Sequence, residues 1–150
     1  MSKGSQKARN TSARLVAAQC VYDMIITGHS AQEALEAYRE HRMDKPLEGV
    51  EYVPADFTLL SKIVRGVAER RTDLVDMVQG ALDKRTGQSE PEALLRAILL
   101  CGAYEMLAHL DTDAPLLIAE YKAVTEAFFD EAEAKLVHAV LDRLNKSLRG

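Results

Sequence analysis

The chain has no acidic residue before Asp23. Lys3, Lys7, Arg9 and Arg14 all fall in that opening stretch. The first 22 residues therefore carry +4, and the other 128 carry −8, with 15 basic residues against 23 acidic ones. A net charge of −4 argues against a general nucleic-acid binder. The distribution confines any polyanion contact to a basic start on an acidic body. A frayed, solubilising tail is the plainer meaning of the same charges. Long apolar runs are also absent: stretches such as Ala97 to Ala103 fall far short of the roughly 20 residues that span a membrane. The opening MSKGSQKARNTSAR has no apolar segment of the secretory kind, so a cytoplasmic protein with no membrane partner is expected. There are only two cysteines, Cys20 and Cys101, far apart and each inside an apolar pattern. They read as free buried thiols.

Catalytic and metal-binding patterns are missing as well. His29, His41, His109 and His138 are scattered, with no HExxH spacing, and neither cysteine has a CxxC partner. No GxGxxG, Walker or GxSxG motif occurs. Carboxylate pairs such as Glu131 and Glu133 belong to a polar helix junction. Nothing assembles a nucleophile, a base and an orienting group. No enzyme, cofactor or metal site is expected.

What remains is a helical pattern. A hydrophobic content of 47% supports a real core, and 28% charged residues make an ordinary surface. No segment alternates with period two; apolar residues recur at three and four. The first helix runs from about Ser12 to Thr27, with Leu15, Ala18 and Tyr22 on one face, and Gly28 stops it. Ser30 to Glu33 fits a capping box that opens the second helix. From Asp44 to Pro54 the pattern fails. A third helix begins near Pro54 or Ala55 and breaks near Thr72; a fourth continues through Leu74, Val78 and Leu82. Ser89 to Glu92 fits another capping box, before a fifth helix from about Glu90 to His109. The sixth starts at Pro115 and ends near Phe129, and the seventh covers about Glu133 to Leu148. The expected fold is all-α, a bundle of about seven helices forming a single domain of 150 residues. Residues 1–12 would be a flexible basic arm, with helical subdomains over 13–72 and 73–150 sharing one core.

The stretch Ile98 to Leu107, ILLCGAYEML, is apolar around most of its circumference. Such a helix is buried on several sides. Glycine inside it costs about 0.5–1 kcal/mol relative to alanine, so Gly102 is expected where two backbones cross closely. Tyr104 is expected to bury its ring and send its hydroxyl to a polar partner.

Taken together, RLVAAQCVYDM, FTLLSKIVRGVAERRTDLVD, LLRAILLCGAYEML, IAEYKAVTEAFF and LVHAVLDRL resemble the NusB family of bacterial transcription antitermination factors. Their order and spacing cover nearly the whole chain from Ala13 onward. The resemblance implies an all-helical, non-catalytic protein that binds boxA-type RNA of ribosomal RNA leader transcripts. It would do so with the ribosomal protein NusE, within the RNA polymerase antitermination complex. Some members of the family form homodimers, so that form is open to this chain too. The resemblance carries Arg14 and Lys135 onto RNA-binding positions, with Lys3, Lys7 and Arg9 adding charge from the arm. It carries Tyr22 and Arg96 onto the protein-partner surface. The chain departs from the family pattern at several of these places. Asn10-Thr11-Ser12 replaces a dense arginine run, Leu136 an aromatic, His138-Ala139 an Asn-Gly, Ala119 an asparagine and Leu95 an acidic residue. These departures leave a second reading, a helical protein-interaction module of the same fold with weakened or lost RNA binding.

Overall fold

A computed structural model describes residues 4–41, 53–82 and 91–150. Among them are seven helices and no strand: α1 (Gln6–Thr27), α2 (Ala31–His41), α3 (Phe57–Glu69), α4 (Arg71–Ala81), α5 (Ala93–Ala108), α6 (Ala114–Glu126) and α7 (Glu131–Arg149). The all-α expectation holds.

The helix ends follow local chemistry. Gly28 closes α1 in the left-handed conformation, at φ 80°, and its N–H donates to the Met24 carbonyl. Ser30 and Glu33 form the expected capping box: the Glu33 N–H lies 3.1 Å from Ser30 Oγ, and the Ser30 N–H lies 2.9 Å from Glu33 Oε1. Asp56 caps α3, accepting from the Leu59 N–H at 2.9 Å. Only Arg70 separates α3 from α4. The break expected near Thr72 thus falls two residues earlier. Pro115 sits in the first turn of α6, where a missing N–H costs nothing. The capping box expected at Ser89 and most of the irregular stretch from Asp44 to Pro54 lie outside the described residues.

One boundary differs in a way that matters for function. Helix α1 begins at Gln6, not near Ser12, so residues 6–12 are helix rather than flexible arm. The physical reason is an earlier cap. Ser5 is extended, and its Oγ accepts from the Ala8 N–H at 3.1 Å.

Helix α5 is the axis of the molecule. It packs against α1, α3, α4, α6 and α7, and ten of its residues, Gly102 among them, are buried. The close crossing expected at Gly102 is there. A Cβ at that position would stand 2.9 Å from Leu141 Cδ2 and 3.4 Å from Tyr121 Cγ, so α6 and α7 both press on it. A second glycine, Gly66 of α3, makes room for the Tyr104 ring, which a Cβ would overlap. Tyr104 also meets His109 edge-on, with ring centroids 5.3 Å apart. The Tyr121 hydroxyl of α6 reaches a buried polar group, the Glu105 carboxylate. No helix of the described residues is long and apolar enough to cross a membrane.

Candidate nucleic-acid and partner interface

Three of the cations expected to meet RNA stand in two places on the surface. Lys7 is exposed on the first turn of α1, and Arg9 stands half-buried two residues on. The Arg9 carbonyl accepts from the Asp56 N–H at 3.1 Å, which ties this turn to the start of α3. Lys7 opens on a cleft between α1 and α6 that Asn10, Arg14, Asp113, Leu116 and Glu120 also line. Lys135 is exposed on α7, 3.5 Å from Glu131 one turn earlier. An exposed pair of this kind is worth well under about 1 kcal/mol, so the ammonium remains available to another anion. Helix α6 packs against both α1 and α7, the helices that carry the two groups of cations. Lys3 lies outside the described residues.

Arg14 is placed differently from expectation. It is buried, only 4% exposed. Its Nε donates to Glu105 Oε2 at 2.7 Å, Nη2 to Glu105 Oε1 at 3.1 Å, and Nη1 to Glu120 Oε1 at 2.9 Å. Three of the guanidinium's N–H groups are thus committed to two carboxylates inside the protein, although Arg14 still lines the floor of the cleft beside Lys7. The opening charge pattern could not reveal this, because its partners lie 91 and 106 residues away.

Glu105 is the hub of that cluster, a residue to which the sequence pattern assigned no role. It is fully buried on α5 and also accepts from the Tyr121 hydroxyl. His109 Nδ1 lies 2.8 Å from its Oε1. Burial works to raise its pKa. Hydrogen bonds from His109 and Arg14, the Arg14 charge and the Tyr121 hydroxyl outweigh that and hold the carboxyl below its ordinary value. The same burial, with the Glu105 charge, pushes the Tyr121 phenol well up. A buried glutamate on so apolar a helix was the available signal, since a buried charge requires a partner.

The positions expected to meet a protein partner lie around the second half of α1. Tyr22 is 39% exposed, and Ile26, one turn later, is 58% exposed. Tyr22 borders a groove between α1 and α2 with Val16, Asp23, Ala37 and Tyr38. Arg96 of α5 opens into a different groove, with Ile25, Val75, Val78 and Leu82. Its Nε is buried without a hydrogen-bond partner among the described residues. The cavity there, about 50 Å³, has room for a few waters and is too small for a metabolite. Tyr22 and Arg96 thus border separate grooves flanking one helix segment. Leu136, which takes the place of the family's aromatic, packs partly buried against the core. Among the described residues, no group of three His, Cys, Asp or Glu side chains is placed to hold a metal ion.

The class defined by this fold is an all-helical protein with open grooves beside the two ends of its first helix. Residues 11–146 match the NusB family, and the chain belongs to it. It is similar to the transcription antitermination protein NusB of Sinorhizobium medicae, 38% identical over 138 residues, covering 92% of this chain and 86% of that protein. The corresponding protein of Brucella suis is 39% identical, covering 92% and 81%. That of Sinorhizobium fredii is 35% identical over 145 residues, covering 97% and 91%.

Proposed function

We propose that this chain is a transcription antitermination factor. It binds boxA-type RNA of ribosomal RNA leader transcripts together with the ribosomal protein NusE on RNA polymerase. The observation that carries this reading is the ordered basic start of α1. Lys7 and Arg9 stand on helix, on a chain that is otherwise acidic. The name shared by the relatives supports the antitermination role. Lys135 adds a third described cation, and Lys3 a fourth in the sequence. So few phosphate contacts give weak, salt-steep binding, because affinity falls with the number of counterions released. A partner must add its own basic surface. The acidic body suits a basic ribosomal protein, whose encounter it would speed and orient. Tyr22 with the neighbouring Ile26, and Arg96 across α1, are the contacts proposed for that partner. The chain works by binding, not by catalysis.

A second reading, an interaction module with RNA binding reduced, draws on Leu136 and Arg14. One is turned against the core and the other is consumed inside it.

Fluorescence anisotropy of a labelled boxA-type RNA, with and without NusE and at low and physiological salt, separates the two. Weak, salt-steep binding tightened by NusE, and reduced by Lys7→Ala, Arg9→Ala and Lys135→Ala, is expected. NusE binding with no RNA signal in either salt would leave the interaction module. Arg14→Ala is not a clean test, because it strips a buried ion pair.

A further inference from the structure

The first two turns of α1 have almost nothing apolar to hold them. From Gln6 to Ser12 the only apolar side chain is Ala8, and the first fully buried residue is Ala13. A helix end without a buried face frays unless something else fixes it. Here polar pins do so, from two sides. On the α6 side, the Thr11 hydroxyl lies 2.9 and 3.1 Å from the two oxygens of Glu120. Glu120 is itself held by Arg14, so this pin is anchored in the core. On the α3 side, Gln6 Nε2 donates to Asp56 Oδ2 at 2.8 Å, and the Asp56 N–H donates to the Arg9 carbonyl. The pins bracket Lys7 and Arg9 in the chain.

We infer that Thr11 with Glu120, and Gln6 with Asp56, are positioning residues for RNA recognition: they hold the basic start of α1 as a helix before the nucleic acid arrives. This rests on the reading that Lys7 and Arg9 meet RNA. The pins supply no charge to the phosphates. Their contribution is order in the free protein, which lowers the entropy lost on binding.

The test compares wild type, Thr11→Val/Gln6→Ala, Thr11→Ser and Lys7→Ala/Arg9→Ala. The readouts are anisotropy of a labelled boxA-type RNA with NusE present, thermal unfolding, NusE binding, and amide exchange across residues 8–12. The pin double variant should exchange faster over those residues. It should bind RNA about fivefold more weakly, with an unchanged salt slope, since the same phosphates are neutralised. Its NusE affinity should match wild type, and it should unfold cooperatively at a somewhat lower temperature, because Glu120 loses a hydrogen bond. Thr11→Ser keeps the hydroxyl and should bind as wild type. Lys7→Ala/Arg9→Ala should lower both the affinity and the salt slope. Faster exchange with unchanged RNA affinity overturns the inference, as does unchanged exchange or a Thr11→Ser defect equal to that of the pin double variant. If Lys7→Ala/Arg9→Ala leaves RNA affinity at the wild-type value, the basic-face reading fails and takes the inference with it.

Discussion

Arg14 and Glu105 meet across the α1–α5 contact, with Nε 2.7 Å from Oε2 and side chains 5% and 0% exposed. Burying both charges is costly, and their attraction with full hydrogen bonding offsets that cost only while both partners are present. Removing one leaves the other charged and stranded. Arg14→Ala or Glu105→Ala should therefore destabilise the protein by about 3–5 kcal/mol, read from urea unfolding. The double variant should cost much less than the two single costs added together, because it strands no charge of this pair. Additive losses would show that the pair is not coupled.

The same cluster makes stability pH-dependent on the acid side. The Glu105 carboxyl is held below its ordinary value of 4.5. A group depressed in the folded state contributes stability above its unfolded pKa and loses it as pH falls through the folded one. The Glu105 contribution to unfolding free energy should thus be complete above about pH 5 and be lost as pH falls below about 4.5. Glu105→Gln should be less stable near neutrality and should flatten that acid slope. A variant as acid-sensitive as wild type would place the titrating group elsewhere.

The two tight glycines should resist alanine. Gly102→Ala gains about 0.5–1 kcal/mol of helix preference but drives a Cβ to 2.9 Å from Leu141. Overpacking of this kind costs about 1–3 kcal/mol, so a net loss is expected, and a smaller one when measured in a Leu141→Ala background, which itself carries the cost of a cavity. Gly66→Ala should cost more, since the Tyr104 ring must leave its place. Melting curves of the three variants check the order.

Arg149 closes the fold from the end of α7. Its guanidinium donates to the carbonyls of Met106 at 2.9 Å, Thr112 at 2.7 Å, His109 at 3.0 Å and Glu105 at 3.3 Å. It therefore satisfies and charge-balances the C-terminal end of α5. Arg149→Ala should destabilise by about 1–3 kcal/mol and speed amide exchange around residues 109–112. Arg149→Lys should recover only part, because a point charge cannot reach four acceptors as a planar fork does. Full recovery by lysine would mean that charge alone is the contribution.

Much of the helical layout was legible because it is set locally. Ser30 and Glu33 form their cap within one turn, and Gly28 stops α1 by its own backbone freedom. The Gly102 crossing was also legible. A helix apolar all round has neighbours on every side, and a glycine marks where one of them comes closest. The start of α1 was hidden because its residues are polar. Ser5 caps it, but what fixes its place, Asp56 and Glu120, comes from α3 and α6. Arg14 shows the same limit at the candidate site. Beside Lys7 and Arg9 it looks like another surface cation, and nothing within several residues of it says otherwise.

The sequence by itself determined the helices, the central place of α5 and the uneven charge. Those follow from periodicity, caps and composition, which act over a few residues. Which cations face solvent was decided only by tertiary packing. Lys7 and Arg14 differ by seven positions, close to two helical turns, yet one is exposed and the other buried. The difference is that α5 and α6 bring Glu105 and Glu120 to Arg14. An ion pair between residues some hundred positions apart exists only once the chain has folded.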